Sequence, residues 1–470
     1  MTADRLAAMD EAYLVAEEPS APLHVASLGI FEGPGLCDAR GRLRLRAIRA
    51  RIASRLDLLP RLRQRVAPVP FDLNRPVWID DIDFDIAHHV DAVALGQPND
   101  EAALVHLAEA VVMEPLDRSR PLWHLRFVTG LEGGRVALIE RAHHAMVDGV
   151  SGVDVSLALL DLTPDAPDAE APRWEPGPEP SQGQLLAGGI ADRVSAPLTA
   201  TARALRSLRA PVAVARDVRS VAAALGELRH DGIRAPHCSL NRSIGDTREL
   251  LFVRERLDAV RAAGAPDGAT VNDVVLAAVT SGLRALFLER EEPIPSDRVV
   301  KALVPVSVRT DGESMALGNR VGGLVAPLPV GIGDPHERLR RITATMAALK
   351  ASGEASTADR MLRAADLLPP SLAHLVARGL NSQPLVNMVV TNVPGPDFPL
   401  YAMGSRMLEA FPIVPLGGNM SLEVAVLSYD GALNVSVTAD RDACPDAATF
   451  ARGVEHGFAA MHASWTPALT

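Results

Sequence analysis

Two adjacent histidines in Glu140 to Gly152, ERAHHAMVDGVSG, are the residues of this chain best suited to moving a proton. An imidazole accepts a proton near neutral pH and returns it later, which is the work of a general base acting on a hydroxyl or an amine. Arg135 to Ala142 reads as a strand and Val150 to Leu162 has the apolar spacing of a helix, so the pair sits where a strand gives way to a turn. Successive residues of an extended segment point to opposite faces, so only one of His143 and His144 can look into a given cavity while the other packs. Asp148, four residues beyond His144, is close enough to orient the turn or the imidazole through a hydrogen bond. Gly149 permits a positive-φ turn without a Cβ clash. Two blander readings stand beside this one. Buried histidines are often satisfied by backbone bonds, and a zinc site would want a third ligand and a helical spacing such as H-E-x-x-H, which is absent. A second pair, His88-His89, has no Asp-Gly at the later offset and reads as structural or surface. Ser151 and Ser156 follow the motif, but with no G-x-S-x-G elbow they read as turn or helix residues.

The elements that must hold these residues are mixed α/β. At 470 residues and 48% hydrophobic composition the chain is long enough for two cores. Its net charge of -11, without a basic stripe interleaved with aromatics, argues against nucleic acid as a partner. Cys37, Cys238 and Cys444 form no C-x-x-C, which fits free thiols in a reducing compartment. The first residues carry acids where a signal peptide would be apolar, and no run of about 18 apolar residues occurs, so neither a visible secretion signal nor a membrane span is expected. Thr163 to Gly183, rich in Pro, Asp, Glu and Gly, cannot hold a regular element and marks a boundary. The expected division is a domain over 1–162, a Pro-rich linker with connecting helices over 163–235, and a second domain over 236–470. In the connecting region Arg203, Arg206 and Arg209 fall three apart, giving either a solvated helix face or one lying on anionic lipid. His24 falls in an expected strand, Leu23 to Phe31, in a packing role. Arg61, Arg63 and Arg65 alternate, and in a strand they would line a solvated edge or touch a phosphate. Asn272 and Asp273 open an expected helix capped by Thr270, for which capping alone accounts for Asp273. Pro-Gly-Pro stops the strand LVNMVVTNVPGP abruptly, presenting Thr391 and Asn392 at its end, where either could donate to a developing oxyanion.

HHAMVDG matches the HHxxxDG signature of the coenzyme A-dependent acyltransferase superfamily. With MDEAYLVAE near the start, EPLDRSRPLW at Glu114 to Trp123, VNDVVLA at Val271 to Ala277, PVSVR at Pro305 to Arg309, LGNRV at Leu317 to Val321 and TNVPGP at Thr391 to Pro396, the chain resembles the bacterial wax ester synthase/diacylglycerol acyltransferase family nearly end to end. The resemblance implies two chloramphenicol acetyltransferase-like domains, mixed sheets flanked by helices, with an active-site channel between them. It implies His144 as the base, since its H-x-x-x-D spacing is shared by single-histidine members, with His143, Asp148 and Gly149 completing the motif. It places an important Asn-Asp pair at Asn272 and Asp273, and a structural ion pair between Asp148 and an arginine of the second domain, for which Arg309 is the candidate. The implied reaction is direct transfer of a long-chain acyl group from acyl-CoA, as substrate and with no cofactor or metal, to diacylglycerol or a long-chain alcohol. Insoluble products imply a cytoplasmic protein held peripherally on a membrane or lipid inclusion. A free-standing condensation-type enzyme using carrier-bound donors shares HHxxxDG, and a non-catalytic lipid-coat protein is the alternative outside enzymes.

Overall fold

Alternating apolar residues build the first sheet. β2 (His24–Phe31) and β7 (Val136–His143) pair antiparallel, in a register that sets His24 opposite His143 and Phe31 opposite Val136. On the other side of β7 lies β6 (Trp123–Thr129), antiparallel, and β5 (Val90–Ala94) runs parallel to β6. Leu28, Ile30, Ala137 and Ile139 face α3 (Glu101–Met113), which Asp100 caps by accepting the Ala103 amide at 2.9 Å. Phe31, Leu125, Leu138 and Val136 face the other way, toward Ile48 and Ile52 of α2 (Leu45–Ala53). Each face therefore has its own apolar cover, and the sheet is buried on both sides. Before these elements come β1 (Asp4–Arg5) and α1 (Ala8–Ala16), and β1 forms a small sheet with β4 (Val77–Asp80) and β3 (Gln64–Ala67). The computed structural model of the chain describes residues 4–147, 155–156, 158–167, 173–192, 234–307, 321–352, 374 and 378–463.

The second half forms another six-stranded mixed sheet. Its elements are β8 (Arg248–Arg256), α4 (Leu257–Gly264), α5 (Val271–Glu289), β9 (Val300–Ser307), β10 (Val321–Leu328), α6 (Pro335–Ser352), β11 (Met388–Pro394), β14 (Leu422–Tyr429), β15 (Ala432–Asp440) and α7 (Ala447–Ala463), and its strands lie in the order β10-β9-β11-β14-β15-β8. β14 and β15 are nearly continuous in buried residues, as strands covered on both faces must be. One face packs Val424, Val426, Val435 and Val437 against Val275, Leu283 and Phe450 of the helices. α5 begins with a reciprocal cap: Asp273 accepts from the Thr270 amide and hydroxyl at 2.8 Å each, and Thr270 accepts from the Asp273 amide at 3.3 Å. By length and composition α5 could cross a membrane, but 67% of its most apolar window is buried in this core, which accounts for its composition.

The strands between β11 and β14 do not stay with the second sheet. β12 (Tyr401–Ala402) and β13 (Ser405–Ile413) lie on the edge of the first sheet, where β13 pairs antiparallel with β2. Sequence patterning does not announce β13, because Pro412 and a register shift between Met407 and Glu409 interrupt its alternation. The second sheet then rests on it: Asn434 Nδ2 donates to the Ala410 carbonyl at 2.8 Å, the Tyr429 hydroxyl donates to the Met407 carbonyl at 3.0 Å, and Phe252 meets Phe411 at 4.4 Å between ring centres. At the other end of the seam the Leu250 amide donates to Glu109 of α3 at 3.0 Å.

One expectation is overturned at Arg61, Arg63 and Arg65, which do not alternate along a strand. Pro60–Arg63 is a short 3-10 helix, and only Arg65 lies in β3. All three have partners within the chain. Arg61 pairs with Asp4 and lies over Trp78, Arg63 pairs with Asp57 and lies over Trp174, and Arg65 pairs with Glu179. These partners replace both the solvated edge and the phosphate contact. Just before these arginines, α2 ends at Ala53, and a turn of 3-10 geometry follows at Leu56–Leu58.

α5 and α7 approach closely enough for backbone contact at Gly282 and Gly453. A Cβ on Gly282 would lie 2.7 Å from the Phe450 carbonyl and 2.7 Å from Val454 Cγ2. Overpacking typically costs ~1 to 3 kcal/mol, against a gain of ~1 kcal/mol for alanine over glycine inside a helix. Because one of the two obstacles is a backbone oxygen, Gly282→Ala is expected to lower the thermal unfolding midpoint despite its better helix propensity, measured by circular dichroism.

Candidate active site

β7 ends at His143, and the chain turns at once: the Met146 amide donates to the His143 carbonyl at 2.8 Å, and the Ala145 amide donates to His143 Nδ1 at 3.0 Å. The second bond assigns the tautomer, since an Nδ1 that accepts must leave the hydrogen on Nε2. That Nε2 points to Glu17 Oε1, 3.4 Å away, and His143 is 1% exposed. His144 departs in the other direction, as alternation requires. Its amide donates to the Leu23 carbonyl at 2.9 Å, its ring stacks on Tyr13 of α1 with 4.0 Å between centres and 10° between planes, and the residue is only half-buried.

The two histidines thus have distinct environments. His143 belongs to a closed polar cluster. His24, its register partner on β2 and 3% exposed, places Nε2 3.3 Å from the same Glu17 oxygen, which also accepts the Leu23 amide at 3.1 Å. The other oxygen of Glu17 accepts from Arg118 at 2.6 Å, and Arg118 also donates to the Leu14 carbonyl at 2.9 Å. Burial opposes the charge on Glu17, but the His143 and His24 rings and the Arg118 guanidinium outweigh it and hold the carboxyl well below the usual carboxylate range. Burial pushes His143 below its ordinary value, with Glu17 opposing that shift. His143 therefore faces the Glu17 carboxylate from inside a closed cluster, while His144 is the less buried member of the pair. Among the described residues no group of three His, Cys, Asp or Glu side chains is arranged to hold a metal ion.

Behind the pair, Glu140 faces the opposite side of β7 and accepts from Ser27 at 2.8 Å and Ser156 at 3.2 Å. Burial raises its carboxyl above the ordinary range, the two hydroxyls pulling the other way. Ser156 is thus occupied as a helix residue, as the sequence implies. Across the seam Arg248 donates to the Ser20 carbonyl, inside the loop between Glu17 and Leu23, and pairs with buried Asp440 at 3.1 Å. Glu423, second residue of β14, is 3% exposed, and its strongest polar contact is a long one, 3.4 Å from the Gly417 amide. Burial pushes its carboxyl up to about 8, with the Gly417 amide and Arg248 opposing.

Asp148, Gly149 and Arg309 lie outside the described residues, and so does the proposed Asp148–Arg309 pair. Asn272 is half-buried in the first turn of α5, beside Asp273 with its cap. Asp273 Oδ1 is buried and accepts no hydrogen bond among the described residues. Thr391 and Asn392 are not at the end of their strand. β11 continues to Pro394, with Thr391 opposite Ala425 and Asn392 opposite Val426. Their side chains point to opposite faces, so the two cannot serve one oxyanion together. None of these four side chains hydrogen-bonds to either histidine among the described residues. His89, as expected, is structural: Nδ1 is 2.9 Å from the Trp123 carbonyl, the ring is stacked between Phe84 and Trp123, and burial pushes it down to about 4. Sequence reasoning did not single out Tyr13, Glu17 or Arg118, although each lies inside a quoted motif, MDEAYLVAE or EPLDRSRPLW.

Comparison with known proteins matches residues 6–275 to the wax ester synthase/diacylglycerol acyltransferase catalytic domain and 317–462 to the WS/DGAT C-terminal domain. The chain is similar to the probable diacylglycerol O-acyltransferase tgs1 of Mycobacterium tuberculosis, with 32% identity over 97% of this chain and 96% of the relative. It is also similar to tgs2 of the same organism, with 30% identity over 93% and 94%. Among solved structures it resembles a wax ester synthase/diacylglycerol acyltransferase from Marinobacter aquaeolei, with TM-score 0.70 and 23% identity over 98% of this chain and 99% of that one. It also shares its fold with the first condensation domain of the calcium-dependent antibiotic synthetase, with TM-score 0.61 and 18% identity over 98% and 97%.

Glu423 supplies a pH test of the seam beside this cluster. With a folded value near 8 and an ordinary one of 4.5, the folded state keeps a proton that the unfolded state gives up between those values. The carboxyl therefore removes stability as pH rises through that window, and its penalty is constant above it. Thermal melts of Glu423→Gln and the parent at pH 5 and pH 8.5 are expected to diverge in favour of Gln at the higher pH; parallel melts would show that the carboxyl is solvated.

Proposed function

The chain belongs to the wax ester synthase/diacylglycerol acyltransferase family and is an O-acyltransferase that forms triacylglycerol or wax ester, and we propose that His144 is its general base and long-chain acyl-CoA its donor. The observation that supports the base is the asymmetry of the histidine pair: His143 is fully buried against Glu17, while His144, just past the strand end, is only half-buried and stacks on Tyr13. His144 takes the proton of the acceptor hydroxyl, and the oxygen attacks the thioester carbonyl. The carbon–sulfur bond breaks, and the protonated ring returns the proton to the departing coenzyme A thiolate. No acyl-enzyme forms, and no cofactor takes part. A general base typically contributes ~10² to 10⁴ in rate, so positioning and charge stabilisation supply the rest. Asp148, Gly149 and Asn272 complete this site, with Arg309 as the ion-pair partner of Asp148.

Two substrates must reach one ring, so the channel for acyl-CoA and for diacylglycerol or alcohol belongs between the lobes, where the seam meets the end of β7. The match to the acyltransferase catalytic domain over residues 6–275 disfavours the lipid-coat reading. Because acceptor and product are insoluble, the protein works at the cytoplasmic face of a membrane or on a lipid inclusion, with the Arg203, Arg206 and Arg209 stretch as the contact. Flotation with anionic phospholipid vesicles is expected to carry the parent upward and to lose the triple Arg→Gln variant; equal flotation of both would discard that contact.

The reaction is tested by following free thiol from purified chain with palmitoyl-CoA and either dioleoylglycerol or hexadecanol. Parent enzyme is expected to release thiol only with an acceptor present, and folded His144→Ala to lose ~10²-fold or more in kcat. Near-parental turnover by that variant would remove His144 as the base.

A further inference from the structure

We propose that α1 is a positioning clamp for the transfer reaction, Tyr13 fixing the plane of the His144 ring and Glu17, one turn later, fixing the strand end and loop that carry it. The proposal rests on His144 being the base. The last torsion of a histidine side chain is broad, so nothing intrinsic sets the direction in which its ring nitrogens point. A parallel aromatic neighbour at 4.0 Å and 10° sets that plane from outside. Tyr13 and Glu17 are four residues apart and so share a helix face, and the Glu17 amide donates to the Tyr13 carbonyl at 3.1 Å, closing α1 at this point.

Glu17 acts on the same ring through the backbone. It accepts the Leu23 amide at 3.1 Å, and the Leu23 carbonyl accepts the His144 amide at 2.9 Å. The same carboxylate oxygen lies 3.4 Å from Nε2 of His143, the residue just before the base. The opposite side of α1 is fastened to the second half of the chain. His374 Nε2 lies 3.0 Å from Glu11 Oε1, and Asn381 donates to the Ala16 carbonyl at 3.1 Å and to Glu18 at 2.9 Å. A helix held on both sides cannot drift from the ring it covers. Displacing a reacting group by 1 Å can cost ~10²-fold in rate, which is the scale of effect open to such a clamp.

The experiment compares kcat and KM for palmitoyl-CoA, with dioleoylglycerol as acceptor, in full-length parent, Tyr13→Phe, Tyr13→Leu, Glu17→Gln and His144→Ala, each with its thermal melt. Tyr13→Phe keeps the ring and is expected to stay within ~2-fold of parent in kcat, whereas folded Tyr13→Leu and Glu17→Gln lose ~10-fold or more in kcat with KM within ~2-fold. A purely structural helix would instead lower the melt and move KM or active fraction together. Parental kcat in Tyr13→Leu, or equal losses in the Phe and Leu variants, overturns the clamp. Should the Leu variant not fold, Tyr13→Met, which fills the space without a ring, is judged by the same criterion. Near-parental turnover in His144→Ala would overturn the base assignment and this proposal with it. A dead His144→Ala beside a fully active Tyr13→Leu would overturn the clamp alone.

Discussion

A single carboxylate, that of Glu17, ties together the parts of the chain that make the site. It gathers the His24 and His143 rings, the Leu23 amide and the Arg118 guanidinium, drawing α1, β2, β7 and the Arg118 turn to one point. A carboxylate largely removed from water is tolerated only when its lone pairs are met by donors, and here donors converge on both oxygens. That requirement also separates the two motif histidines. One is enclosed within the cluster, and the other is turned away from it by strand alternation, under an aromatic ring. A base needs a face open to substrate and a backbone that does not move, and these demands fall on neighbouring residues that share one strand end.

The second physical theme is the continuity between the lobes. β13 lies after the second half has begun, yet its hydrogen bonds go to β2, so the first sheet contains an edge from each half. The second sheet rests on that same strand through Asn434, Tyr429 and Phe252. The loop from β13 to β14 returns past Gly417 and Glu423, while Arg248 reaches across to Ser20. Polar groups buried at this junction, including Asp440 and a carboxyl held protonated, set it apart from the aliphatic cores on either side.

Much of this was legible in the residues. The strand containing ERAHH, the Thr270 cap and the α5 helix all follow from period and capping, because those are local causes. The asymmetry of the histidine pair follows from alternation alone. What was not legible depends on contacts distant in sequence. Nothing near Tyr13 or Glu17 says that two imidazole rings and a guanidinium more than a hundred positions away will meet them. Arg61, Arg63 and Arg65 look solvated in sequence because their acids, Asp4, Asp57 and Glu179, are not on the same element. Thr391 and Asn392 were placed at a strand end by the prolines that follow, whereas pairing with β14 carries the strand on through Pro394.

The route of β13 also bears on how relatives can be recombined. A hybrid joining one parent's residues before the proline-rich segment to another parent's residues after it would set a foreign Ser405–Ile413 beside a native His24–Phe31. Cross-strand neighbours chosen in different lineages would then have to fit within the sheet that ends in the histidine pair. Exchanges that move 401–413 together with the first half, leaving the remaining second half to the other parent, keep those neighbours in the company they were selected in.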